Sequence, residues 1–188
     1  LETTLAEDVA LLAEAYGETL EQMHQRLKLR YDGYHFAEQS EDIYNPYSLF
    51  KAFSNQKIEN YWFESGTPPF LIRQMKHFRT DITTMENIAA SSSAFDRPTE
   101  AMEDALPLLY QSGYLTICGH DARSGRYALA VPNGEVEWGL VNGLLPEWAP
   151  GYSEMRGTDV FTLLDYVDAG DTDGMRDVIA ALFASIPY

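Results

Sequence analysis

Four histidines, His24, His35, His77 and His120, and a single cysteine, Cys118, are the side chains best suited to acid–base, nucleophilic or metal chemistry near neutral pH. Their separations match no metal-ligand pair. His24 and His77 fall within helical stretches, where a surface position is the usual outcome. His35 follows Gly33 by two residues with Asp32 nearby, which suits a local histidine–carboxylate hydrogen bond more than a catalytic base. Cys118 has no partner for an internal disulfide and is expected to be a small buried hydrophobe in a strand. Asp168, Asp171 and Asp173 resemble a sparse calcium loop, but they lack the alternating ligand positions and closing glutamate of an EF-hand. They read as helix caps and turn residues. Phosphate-binding loops, dinucleotide fingerprints, His-Glu-x-x-His helices and Gly-x-Ser-x-Gly turns do not occur in the sequence. Taken alone, the chain carries no convincing active site.

Composition narrows the partners. The 188 residues include 29 acidic and 13 basic side chains, a net charge of −16. Hydrophobic residues make up 45% and aromatic residues 13%, as in a globular protein with a real core. Such a charge opposes general nucleic-acid binding and repels anionic membranes. The sequence holds no apolar run of membrane-spanning length and no signal-peptide pattern, so a cytoplasmic protein without membrane contact is expected. The first residue is Leu1 and the last three are Ile186-Pro187-Tyr188, which suggests a piece of something longer.

The fold expected from these patterns is α+β and mainly α-helical. Capping boxes at Thr4-Leu5-Ala6-Glu7 and Thr19-Leu20-Glu21-Gln22 open two helices, the first closed at Gly17. The second ends in Arg26, Lys28 and Arg30, cations placed where the helix dipole favours them. Asn45-Pro46 and Thr67-Pro68-Pro69 start two more helices. The latter carries Arg73, Lys76, His77 and Arg79. Small polar residues and Pro98 suggest a hinge or linker over 81–98. Thr99 is expected to cap a helix from Glu100 to Gln111. Strands at 114–118 and 127–131 then form a β-hairpin, and a helical stripe begins at Val136. Two short helices, 158–167 and 172–184, complete the chain. Helix, hairpin and helix over 99–150 suggest a winged-helix-like module.

Three aromatic motifs occur in order: Tyr31-Asp32-Gly33-Tyr34-His35-Phe36, Tyr44-Asn45-Pro46-Tyr47-Ser48-Leu49, and Tyr61-Trp62-Phe63-Glu64-Ser65-Gly66-Thr67-Pro68. Together with Leu108–Ile117 and Val131–Val136, they resemble the C-terminal part of the AAA-ATPase-like domain found in many bacterial proteins, especially from Bacteroidetes. The tail Phe183–Tyr188 resembles the lead-in to the PD-(D/E)XK nuclease-like domain of the same proteins.

The resemblance implies a helical lid-like part over 1–80, the linker over 81–98, the winged-helix-like module over 99–150 and a helical connector over 151–188. The ATPase core would precede this segment and the nuclease-like domain would follow it. ATP and Mg would therefore belong to the parent, and this chain would have no catalytic residue, metal site or cofactor of its own. Arg73, with Lys76 behind it, becomes the nucleotide-contact candidate, because lids of such ATPases often present an arginine to the γ-phosphate. Tyr31, Asp32, Gly33, Tyr34, Asn45, Pro46, Tyr61, Trp62, Glu64, Gly66 and Thr67 would be structural. An acidic protein–protein module is the alternative function. A nucleic-acid-binding winged helix using Arg123 and Arg126 is disfavoured, because residues 101–188 hold 13 acids and only 4 bases.

Overall fold

The computed structural model describes residues 5–37, 40–63, 69–80, 85, 87–95, 97–98, 102–148 and 157–184. The chain is α+β and mainly helical, with one three-stranded antiparallel sheet among the described residues. It divides into two compact units, residues 1–141 and 142–188.

The first unit opens with α1 (Ala6–Tyr16) and α2 (Leu20–Tyr31). Gly17, at φ 65°, closes α1 in the left-handed conformation that glycine adopts cheaply. Thr19 and Gln22 form the expected reciprocal capping box of α2. Helix α1 instead follows Leu5, which makes no side-chain cap, and Thr4 of the expected first capping box lies outside the described residues. Asn45 caps α3 (Pro46–Asn55), accepting hydrogen bonds from the amides of Tyr47 and Ser48. Asn45→Ala is therefore expected to cost about 1 kcal/mol, read as a shift of the urea midpoint at unchanged slope. Val9 and Leu12 of α1, Met23, Leu27 and Tyr31 of α2, and Leu49, Ala52 and Phe53 of α3 share one core with Tyr61. Their i, i+3 and i, i+4 spacing makes each helix amphipathic, so burial of this stripe holds the three together.

A 3₁₀ turn at Tyr61–Phe63 precedes α4 (Pro69–His77). Residues 88–95, inside the expected linker, instead form β1 (Ile88–Ser91) and the short α5 (Ser92–Phe95). Small side chains do not prevent this, because pairing uses the backbone and Ala90 is buried against the sheet core. The boundary between compact units accordingly falls after Val141 and not near 80–98.

The helix expected from Glu100 is shorter than the pattern suggested. Helix α6 spans Leu106–Gln111, with Pro107 in its first turn and the Asp104 carboxylate accepting from the Leu106 amide at 2.8 Å. Proline has no N–H to give an earlier turn and clashes with the carbonyl four residues back, so the helix starts there. Thr99 and Glu100 lie outside the described residues.

Strands β2 (Thr116–Asp121) and β3 (Arg126–Ala130) form the expected hairpin, and β1 joins its other side to give the order β1-β3-β2. Ala90, Phe95, Ile117 and Leu129 make a second small core. Helix α7 (Gly134–Trp148) follows the sheet. In the second unit, α8 (Gly157–Ala169) and α9 (Thr172–Ala184) form a hairpin of helices. No helix among the described residues is long and apolar enough to cross a membrane.

Candidate functional site

The Tyr31-Asp32-Gly33-Tyr34 and Pro132-Asn133-Gly134-Glu135 segments, about a hundred residues apart in sequence, meet at the end of α2. The meeting requires a glycine. Gly33 has φ 96°, and a β-carbon there would strike the Pro132 carbonyl, whose carbon would lie 3.1 Å away. The Asn133 side chain then bridges the two segments. Its amide donates to the Asp32 carbonyl at 2.9 Å, and its Oδ1 accepts from the Val136 amide at 3.1 Å, capping α7. Arg30 donates to the Gly134 carbonyl at 3.2 Å and to Asn60 Oδ1.

Glu135 is the most unusual member of this junction. It is fully buried, and its Oε1 accepts from the Trp62 amide at 3.0 Å, tying α7 to the 3₁₀ turn. Burial pushes its carboxyl above the usual glutamate range, against the pull of the Trp62 amide, the Ser48 hydroxyl and Arg30. Around it the aromatic motifs interlock. Trp62 meets Phe63 at 5.1 Å and Tyr114 at 5.2 Å between ring centroids, and crosses Tyr34 edge-on at 6.3 Å. The Tyr31 hydroxyl donates to the Glu59 carbonyl at 2.8 Å and accepts from the Glu59 amide at 3.1 Å. Burial raises the pKa of Tyr31 and Tyr34, so both hydroxyls stay protonated donors; that of Tyr44 is pushed up to about 12.

Two cavities flank the Gly33–Pro132 contact. The larger, about 700 Å³, lies between the end of α2 and the start of α7 and includes Lys28, Leu29, Asp32, Asp42, Asn133 and Glu137 in its lining. Burial, then the neighbouring Asp42 charge, push the Asp32 carboxyl up, while the Gly33 amide and Lys28 pull it down. The smaller cavity, about 440 Å³, is bordered by His35, Thr116, Cys118 and His120.

Several expected features change at this scale. His35 pairs with Asp42, Nδ1 to Oδ1 at 3.0 Å, and not with Asp32, the residue that ends α2. The backbone of His35 is held beside the start of β2 by the Thr116 side chain: its amide donates to Thr116 Oγ1 at 2.7 Å, and its carbonyl accepts the Thr116 hydroxyl at 2.9 Å. Cys118 is exposed, because the β2–β3 register slips between Ile117 and Gly119 and turns this residue outward. Arg73 and Lys76 are exposed on α4, which buries Leu71 and Met75 instead, and neither lines the large cavity. Glu64, Gly66 and Thr67 lie outside the described residues. Asp171 caps α9 through the Gly174 amide at 3.0 Å, and Asp173 pairs with Arg176, as expected of cap and turn residues. Among the described residues, no three His, Cys, Asp or Glu side chains are grouped to hold a metal ion.

Comparison with known proteins returns one relative at significance. A protein of Azotobacter chroococcum mcd 1, described as an uncharacterized protein in the vnfD 5' region, is 38% identical over an alignment of 168 residues that covers 84% of this chain. The chain spans only 30% of that protein's length. No family model matches, and no solved structure matches.

Proposed function

We propose that this chain is the non-catalytic lid and winged-helix segment of a longer AAA-ATPase-like protein, and that it relays the nucleotide state of an ATPase core to a following domain. The observation that carries this reading is the buried polar junction of Asp32, Asn133, Glu135, Arg30 and Trp62. Buried hydrogen bonds of this kind permit few relative positions, so a shift of α2 is passed to α7 and the sheet.

Two further features support it. The order α4–β1–α5–α6–β2–β3, with the first strand paired to the last, suits a winged helix that begins near α4, well before residue 99. The relative's greater length leaves room for flanking domains. Helix α6, which takes the recognition position in this reading, is Leu-Pro-Leu-Leu-Tyr-Gln and carries no charge. It suits a protein surface better than DNA phosphates. In the parent, ATP and Mg would be held by the preceding core, and the protein would be cytoplasmic.

The test uses the full-length protein. Hydrogen exchange of the 116–130 hairpin should change between ATP-bound and ADP-bound states, and identical exchange in both would refute the relay. The nucleotide contact is tested separately. Arg73→Ala should lower ATP hydrolysis about tenfold or more if this side chain reaches the γ-phosphate. Unchanged ATP affinity and hydrolysis would remove Arg73, and Lys76 with it, from that role.

A further inference from the structure

We propose that the cavity between α2 and α7 is a receptor for a guanidinium group on an aliphatic stem. The inference stands on the cavity itself and does not depend on the ATPase reading.

Asp32 carries the first half of it. The residue lines the cavity, is more than nine-tenths buried, and its Oδ1 has no hydrogen-bond partner among the described residues. A buried carboxylate oxygen without a donor is costly, and folded proteins keep few of them. Oδ1 is itself sealed from solvent, so a ligand's donor reaches the carboxylate by turning it toward the cavity, and the new hydrogen bond removes that cost. Asp42, already paired with His35, and Glu137 line the same cavity, so among the described lining residues Lys28 is the one cation beside three carboxylates. An anion would meet net repulsion there, and the −16 charge of the whole chain raises the local concentration of cations.

The walls carry the second half. Leu29, Val131, Leu140 and Val141 give the cavity an apolar side, and Leu29 is 65% exposed beside it. A bare metal ion makes no use of such a wall, whereas the methylenes of an alkyl stem do. The volume of about 700 Å³ fits a group of that size with room for its attachment. Guanidinium is favoured over ammonium because its planar fork donates to two carboxylate oxygens at once, while an ammonium acts as a point charge. Burial and the Asp42 charge also push the Asp32 carboxyl upward, the direction expected of a group placed without its countercharge.

The same group is carried by free alkylguanidines and by arginine side chains of a polypeptide, so the test has an arm for each. The 188-residue chain, labelled for amide NMR, is titrated with butylguanidinium, with tetramethylammonium, and with a capped Gly-Arg-Gly peptide at constant ionic strength. Saturable one-to-one binding of butylguanidinium, shifting the amides of Leu29, Gly33 and Val141, is the expected result. Tighter binding of the peptide would assign the cavity to a partner's arginine; equal or weaker binding would assign it to a free guanidine. Asp32→Asn should weaken binding about tenfold or more. Should that variant fail to fold, Glu137→Gln decides: this residue is exposed, and its change should weaken binding about two- to threefold with an unchanged melting temperature. Glu7→Gln on α1, exposed and outside the cavity, should leave binding as it was. Equal binding of tetramethylammonium, the absence of saturation, or full affinity in the cavity variants would each overturn the proposal.

Discussion

Glu135→Ala is expected to destabilise the first unit by about 2–4 kcal/mol, whereas Glu135→Gln should be close to neutral at pH 7. Alanine removes the acceptor of the Trp62 amide and leaves that buried donor unpaired. Glutamine keeps an acceptor of the same shape and drops the charge. The pH dependence separates the two roles of the carboxylate. Burial raises the Glu135 pKa in the folded state, so the folded chain holds that proton more tightly than the unfolded one. Its contribution to stability is therefore full below the ordinary glutamate value, about 4.3, and is lost as pH rises through the higher folded value. Asp32 shifts in the same direction and acts with the same sign. Acidifying from neutral pH toward that window should thus raise the melting temperature of the wild type. Glu135→Gln, which has no proton to gain there, should show a flatter profile. The whole-chain charge contributes to both curves alike, so their difference isolates residue 135. Superimposable curves would mean that Glu135 pays no penalty for its burial.

Gly33→Ala should cost about 2–4 kcal/mol, one of the largest effects of any single methyl group in this chain. Two causes add. At φ 96° an L side chain is strained, and the new β-carbon would overlap the Pro132 carbonyl oxygen. That oxygen is backbone and can yield only by moving the loop that holds Asn133 against Asp32. Gly17→Ala serves as the control. Gly17 is also left-handed, at φ 65°, but nothing lies within 4 Å of its missing β-carbon. It should therefore show the conformational cost alone, about 1–2 kcal/mol. Equal urea midpoints for the two variants would show that the Pro132 loop does not rest on Gly33.

The junction explains what the aromatic motifs do. Tyr31, Tyr34, Trp62 and Tyr114 supply broad apolar bodies, while the Tyr31 hydroxyl and the Trp62 backbone amide reach polar partners at the edge. Gly113 belongs to the same arrangement, since Trp62 lies 3.4 Å from where its β-carbon would sit. A β-carbon there would touch the indole at ordinary contact distance, and the cost of substitution comes from the φ of 79°.

Local chemistry was legible without coordinates. Thr19 with Gln22, Asn45 with Pro46, Gly17 at a helix end and Asp171 before α9 act through partners within a few residues, so sequence spacing identifies them. The α+β, mainly helical class follows from the same short-range periodicities. Pro107 was an equally local signal, and it sets the start of α6 against the apolar pattern that suggests an earlier one. The pairing of β1 with β3 was not legible, because Ile88–Ser91 finds its partner some forty residues away and, after Ile88, brings only small side chains to it. Nor was the burial of Glu135. A glutamate two residues after Asn133 reads as an ordinary solvated first-turn acid, and only tertiary packing, which brings Trp62, Ser48 and Arg30 beside it, removes its water.

Sequence alone therefore determined most of the helices, the caps of α2, α3 and α9, the hairpin and the acidic charge, all of which depend on neighbours along the chain. Tertiary structure decided which groups meet: Gly33 under Pro132, Asn133 on Asp32, Glu135 on the Trp62 amide, and an unpaired Asp32 oxygen beside an apolar wall. Those contacts span roughly seventy to a hundred residues. A hydrogen-bond donor's identity is written in its residue type, but its partner and its distance from water are set only when separate segments pack together.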